Sequence, residues 1–385
     1  MQPADVSRLI ASLAGRPVQL VVVATGGGTR ALAQLVTTPG ASAVVLEGLV
    51  PYSRQSVDRL LGGPQETYCS DRAARRLAIV AWQRAVESTG RPAEAVGVAV
   101  VASLKTVHPK RGAHRVIVAV QSLAATSVVS LSLATDARSR DAEEDVAALL
   151  VLHEIERLLD PDVDRDLSAV LQPDERVHRR TCLAPQAWRD LLANARRALG
   201  AGTATTDPTP ERLLFPGSFD PLHAGHREMA RIAEEIAERP VEFELSIANV
   251  DKPLLDYCEL EARCSQFAGR PLWVTRAATF LEKLAIFPRS TFVLGADTFV
   301  RLADPRYYGG SAEAAAAAVH AIVEQARGLV VFGRERGGVF EDPSGLDVPE
   351  PLRRIAYFVS QREFRLDISS TDLRRERLPR DLEGT

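Results

Sequence analysis

Between Leu213 and His226 the chain reads LLFPGSFDPLHAGH, and no other stretch of its 385 residues constrains the fold as tightly. An apolar run meets proline and glycine, which end a strand, and two histidines spaced H-x-x-H stand where an amphipathic helical pattern begins and continues through Ala237. Helix N-termini carry unpaired amides and a positive partial charge, so backbone N–H groups and imidazoles converge there on one small volume suited to phosphate. Two imidazoles can donate hydrogen bonds to non-bridging oxygens as charge builds in a transition state, with no covalent nucleophile. A turn whose histidines only cap a helix is the bland alternative. Two of only seven histidines directly behind GSFDP weigh against it.

The rest of the chain alternates in the same way. Arg16 to Ala24 reads as a buried strand, TGGGT from Thr25 as a tight turn, and Arg30 to Val36 as a helix. Ala43 to Val50, Val96 to Ser103, His114 to Val120 and Val128 to Thr135 read as strands. Ser53 to Leu61, Asp71 to Thr89 behind an N-capping Ser70, and Asp141 to Leu159 have helical spacing. Later strands are expected at Glu242 to Ala248, Pro271 to Thr275, Ser290 to Leu294, Gly328 to Phe332 and Phe364 to Leu366. Alternation of this kind predicts α/β layers. From Pro161 to Thr209 the strand signal stops, leaving one helix at Pro185 to Leu199 and a GAGTATTDPTP linker. The expected domains are therefore 1–160 and 211–385, joined by a helical connector and linker at 161–210.

Composition closes off other classes. A net charge of −3 without a Lys/Arg run argues against nucleic acid as a partner. The early apolar run from Val18 to Ala24 is far shorter than the roughly 20 residues of a membrane helix. Four scattered cysteines show neither zinc-ligand spacing nor a disulfide framework, so no resident metal is expected, and reduced thiols in a cytoplasm fit best. Only four lysines stand among 47 basic residues, which gives each some weight.

GSFDPLHAGH resembles the glycine turn and signature of the HxGH nucleotidyltransferase superfamily. Near the far end, DISSTDLR (Asp367 to Arg374) is similar to that superfamily's ISSTxIR motif, in the version that points to nicotinamide or nicotinate mononucleotide adenylyltransferases. The resemblance covers about residues 211 to 380 and implies a Rossmann-like doubly wound parallel sheet. It implies His223 and His226 as the catalytic pair. ATP and phosphate would be held by Gly217, Ser218, Phe219, Lys252, Ser369, Ser370, Thr371 and Arg374. Asp297 in the GAD turn, Arg263 and Tyr308 stand where relatives hold the acceptor and ribose. Asp297 as a helix cap, Tyr308 as core and Ser369 with Asp372 as a capping box remain the alternatives.

The first 160 residues resemble the C-terminal domain of the CinA family of nicotinamide-nucleotide amidases, carried by TGGGTRALAQLVTTPGASAVVLEGLVPYSRQSVDRLLG. Counted back from PGAS, the family's nucleophilic serine falls at Thr25 and its tyrosine at Tyr52. Its catalytic lysine falls at Val57, which accepts no proton. The family's TGxAGP loop is replaced by ASLKTVHPKRG from Ala102, where Lys105, Lys110 or His108 could serve as a base or form only a solvated basic loop. The expectation is a degenerate pocket that binds nucleotide or carries self-association.

Together these resemblances imply an adenylyltransferase of NAD biosynthesis that uses ATP with Mg²⁺ and a small phosphorylated substrate. Another phosphorylated acceptor, such as a phosphopantetheine or a sugar phosphate, is the runner-up. A non-catalytic nucleotide sensor is the reading from a different class.

Overall fold

A computed structural model describes residues 3–108, 112–163, 167, 170–203, 205, 207–336 and 339–364. The chain forms two compact units. One runs to Arg189 and takes in Asp251–Glu259; the other holds Asp190–Val250 and resumes at Leu260.

The first unit is built on β1 (Gln19–Thr25), β2 (Val45–Leu49), β3 (Ala95–Ser103), β4 (His114–Gln121), β5 (Ala125–Leu133) and β6 (Val177–Leu183), in the order β2-β1-β3-β4-β5-β6. β1 pairs parallel with β2 and β3, and the rest is an antiparallel meander. Helices α1 (Pro3–Ala14), α2 (Thr29–Thr37) and α5 (Arg140–Glu156) bury Leu13, Leu35 and Val151 with Val98, Val100 and Val118 of the sheet; α3 (Arg54–Leu61) follows β2. The opposite face carries α4 (Asp71–Thr89), so close to β3 that a Cβ on Gly97 would lie 2.0 Å from the Ala78 carbonyl oxygen. A strand covered on both faces has no alternation to show, which is why β3 reads AVGVAVVAS.

The second unit contains β7 (Ala198–Ala201), β8 (Leu213–Pro216), β9 (Val241–Ser246), β10 (Leu272–Thr275), β11 (Thr291–Gly295), β12 (Gly328–Phe332) and β15 (Ala356–Val359), in the order β15-β12-β11-β8-β9-β10-β7. All neighbours are parallel except β7 against β10. Counted from β8, the parallel strands run 6-5-4-1-2-3, the Rossmann-like doubly wound order, with its switch point between β8 and β11. Connecting helices are α7 (Ala224–Ala237), α8 (Tyr257–Cys264), α9 (Phe280–Ile286), α10 (Ala296–Arg301), α11 (Ala312–Gln325) and α12 (Glu350–Arg354), with a hairpin of β13 (Arg334–Arg336) and β14 (Val339–Glu341) after β12.

Three expectations need correction, and a fourth falls outside the described residues. The stretch 161–210 is not a helical connector: Val177–Leu183 is an edge strand of the first sheet and Ala198–Ala201 an edge strand of the second. Its helix, α6, is confined to Gln186–Leu192. The strand after β12 is Ala356–Val359, whereas the one expected at Phe364 to Leu366 lies outside the described residues except for Phe364. Cys182 and Cys258 are joined as a disulfide, leaving Cys69 and Cys264 free.

Candidate active site

β8 delivers the chain to the switch point, where Gly217 begins the turn and donates its N–H to the Glu244 carbonyl at 3.0 Å. The Phe219 ring folds back into the core, edge-on to Phe215, Phe243 and Phe267, and its backbone takes a φ of +44°. α7 then starts with His223 as its N-cap. One turn on, His226 stacks on His223 with ring centroids 3.7 Å apart. A Cβ on Gly225 would lie 3.0 Å from the His223 ring, so the glycine of H-x-G-H leaves room for that stack.

The two imidazoles are both poorly hydrated. Burial beside Phe215 and Phe219, then the neighbouring His223 and Arg227, lowers His226 to about 3. Burial, then Arg227, lowers His223 in the same direction. His226 is therefore neutral near pH 7. Its Nδ1 accepts the His223 backbone N–H at 3.3 Å, which leaves the ring proton on Nε2 as a donor. The His223 Nδ1 is buried without a hydrogen-bond partner among the described residues. Uncharged donors aimed from a helix N-terminus suit an oxyanion that gains charge during reaction.

Arg263 was expected to meet the acceptor, but it is engaged by the loop itself. Its guanidinium donates to the Ser218 carbonyl at 2.9 Å and reaches Asp220 at 3.4 Å. Gln266 also holds the loop, and nothing in the sequence pointed to it, since a glutamine near a helix end carries no periodic or motif signal. Asp297 is the second residue of α10, just past the end of β11 and across the switch point from β8, and its carboxylate is ion-paired with Arg334. The Tyr308 hydroxyl donates to the Leu302 carbonyl at 2.9 Å, which makes the half-buried ring part of its own turn. Lys252 lies in Asp251–Glu259, the segment that belongs to the first unit, where the Tyr257 N–H donates to Thr126 Oγ1 and Asp256 pairs with Arg75. Ser369, Ser370, Thr371 and Arg374 lie outside the described residues.

In the first unit, the Thr25 hydroxyl donates to the Pro51 carbonyl at 2.8 Å. Val57 packs inside α3, whereas Tyr52 is 70% exposed. The Lys105 ammonium lies 3.3 Å from both Asp136 and the Arg138 carbonyl. The amides that open α2 already have an anion: Glu144 of α5 accepts from Gly28 N–H at 2.9 Å, and from Arg30 N–H and the Thr29 hydroxyl at 3.1 Å each. No group of three or more His, Cys, Asp or Glu side chains that could hold a metal occurs among the described residues. No helix among them is long and apolar enough to cross a membrane.

Residues 214–376 match the family described as cytidylyltransferase-like, so the C-terminal half carries a nucleotidyltransferase domain. Among solved structures, the chain is similar to a competence-damaged protein (CinA) superfamily protein of Escherichia coli at 16% identity, covering 40% of this chain and 87% of that one with a TM-score of 0.33. A Klebsiella pneumoniae member is 14% identical over 41% of this chain and 98% of its own, with a TM-score of 0.34. An Enterobacter cloacae member is 15% identical over 42% and 94%, also at 0.34. No curated protein matches the chain.

Proposed function

We propose, from a nucleotidyltransferase domain at residues 214–376, that the chain joins ATP to nicotinamide or nicotinate mononucleotide and releases pyrophosphate. A phosphate oxygen of the mononucleotide attacks the α-phosphorus in line. The new P–O bond forms as the bond to the bridging oxygen breaks, and pyrophosphate leaves with that electron pair. The acceptor phosphate is already ionised at neutral pH, so positioning and charge stabilisation suffice without a general base. Mg²⁺ enters as the counter-ion of the triphosphate and so as part of the substrate.

The observation that carries this reading is the pair of stacked, neutral histidines at the start of α7, where His226 offers an Nε2–H donor. Both would stabilise the α-phosphate as its charge grows. Ser218 and Phe219 lie in the turn that faces the same strand end, and the ISSTDLR segment supplies hydroxyls and Arg374, whose guanidinium forks onto phosphate oxygens. The choice of acceptor rests on the ISSTDLR version and on the CinA-like pattern of the first 160 residues, both of which resemble NAD-metabolism families.

Pyrophosphate release with ATP and a panel of acceptors tests it. Nicotinamide or nicotinate mononucleotide should be the active acceptor; release only with a phosphopantetheine or a sugar phosphate would overturn that choice. His223→Ala should lower kcat by about 10²-fold with ATP binding largely kept. A sensor would instead show no release in the wild type and lose only affinity in the variant.

A further inference from the structure

Gln266 sits in the 3₁₀ turn Ser265–Phe267 that follows α8, and its side-chain amide uses both ends on the backbone of the histidine loop. Oε1 accepts the Leu222 N–H at 2.8 Å, and Nε2 donates to the Phe219 carbonyl at 3.0 Å. Nε2 also reaches the carbonyl of Arg263, one turn back, at 3.3 Å, which fixes the amide's orientation.

The two bonds to the loop straddle Asp220 and Pro221, so Gln266 bridges the end of the glycine turn to the residue before the helix N-cap. Both bridged residues are consequential. Phe219 adopts a positive φ, a conformation that side-chain-bearing residues rarely hold unless their surroundings impose it. Leu222 precedes His223, whose N–H sets the tautomer of His226. The end of the turn is thus tied to the residue before His223 by one amide that acts as donor and acceptor at once. A side-chain amide supplies that pair on two separate atoms without depending on pH, and asparagine is one methylene shorter.

Resting on the nucleotidyltransferase reading of this site, we propose that Gln266 is the positioning residue of the transfer reaction: it touches no substrate but fixes the histidine pair against the glycine turn. Arg263 and the Phe219 ring still anchor the loop without it, so its loss should displace the histidines while the fold persists. A misplacement of about 1 Å costs about 10²-fold in rate.

The test uses the full chain. Gln266→Leu should lower kcat about ten- to a hundredfold, with the KM for ATP changed less than about threefold and the melting temperature nearly kept. Gln266→Glu separates positioning from packing. As a carboxylate it still accepts from Leu222 but turns a charged oxygen toward the Phe219 carbonyl, and protonation restores the donor. Its rate relative to wild type should therefore rise as pH falls from 8 to 5.5. A flat ratio across that range, or a Gln266→Leu rate equal to an active wild type, overturns the inference alone. A wild type that releases no pyrophosphate with any acceptor overturns the reaction reading, and this inference with it.

Discussion

At the scale of single residues, the burial that keeps His226 neutral also ties it to stability. Its ordinary value near 6.5 drops to about 3 in the fold, because burial among phenylalanine rings disfavours the imidazolium. The unfolded chain then binds a proton that the native state refuses between those two values, so stability must fall as pH falls from about 6.5 toward 3. At pH 5 this amounts to about 2 kcal/mol, taken from roughly 1.4 kcal/mol for each pH unit below 6.5. Urea titrations at pH 7 and pH 5 should show that loss, and His226→Asn should remove most of the difference. An equal loss in the variant would mean that His226 titrates normally. The histidines were legible because their spacing and the glycine before them form a motif. Gln266 was not, because a side chain that caps a neighbouring loop leaves no pattern in its own sequence. Arg263 and Asp297 were legible as positions, but their partners, Ser218 with Asp220 and Arg334, are set by packing that no local pattern reports.

At the scale of elements, the buried strands announced themselves, whereas of the edge strands β2 did and β6, β7 and β15 did not. β1 and β3 are continuous apolar runs, as strands covered on both faces must be. β6 reads VHRRTCL and is exposed along most of its length, so it lacks the period-two alternation that marks a half-buried strand. β7, ALGA, is short and contains a glycine, which reads as linker until Trp273 of β10 is seen paired against Gly200. The cysteines failed to speak for a related reason: 76 residues separate Cys182 from Cys258, and only β6 and the first turn of α8 bring their Cα atoms to 5.4 Å. Under denaturing, non-reducing conditions the protein should therefore titrate two thiols, Cys69 and Cys264, and four after reduction. Four thiols before reduction would remove the bond and restore the all-reduced expectation.

At the scale of the whole molecule, the proposed adenylyl transfer in one α/β unit and the CinA-like pattern of the other invite a bifunctional enzyme that deamidates in one unit and adenylylates in the other. The residues of the first unit argue against it. An amidase of the kind this unit resembles needs a hydroxyl beside a proton acceptor, and Thr25 instead donates its proton to the Pro51 carbonyl. The position where the resemblance expects lysine is Val57, packed in the core. Lys105, the nearest substitute in sequence terms, is committed to Asp136 and Arg138. The α2 amides that could receive a substrate anion are filled by Glu144, a buried carboxylate that stabilises the glycine turn as a bound phosphate otherwise would. Losing the base of such a unit costs about 10⁴-fold or more. Ammonia release from nicotinamide mononucleotide by the full chain should accordingly be indistinguishable from the background without enzyme, and Thr25→Ala should leave it unchanged. Turnover that Thr25→Ala abolishes would mean that a base has been recruited from the 102–112 loop, with Lys105 and His108 the first to replace.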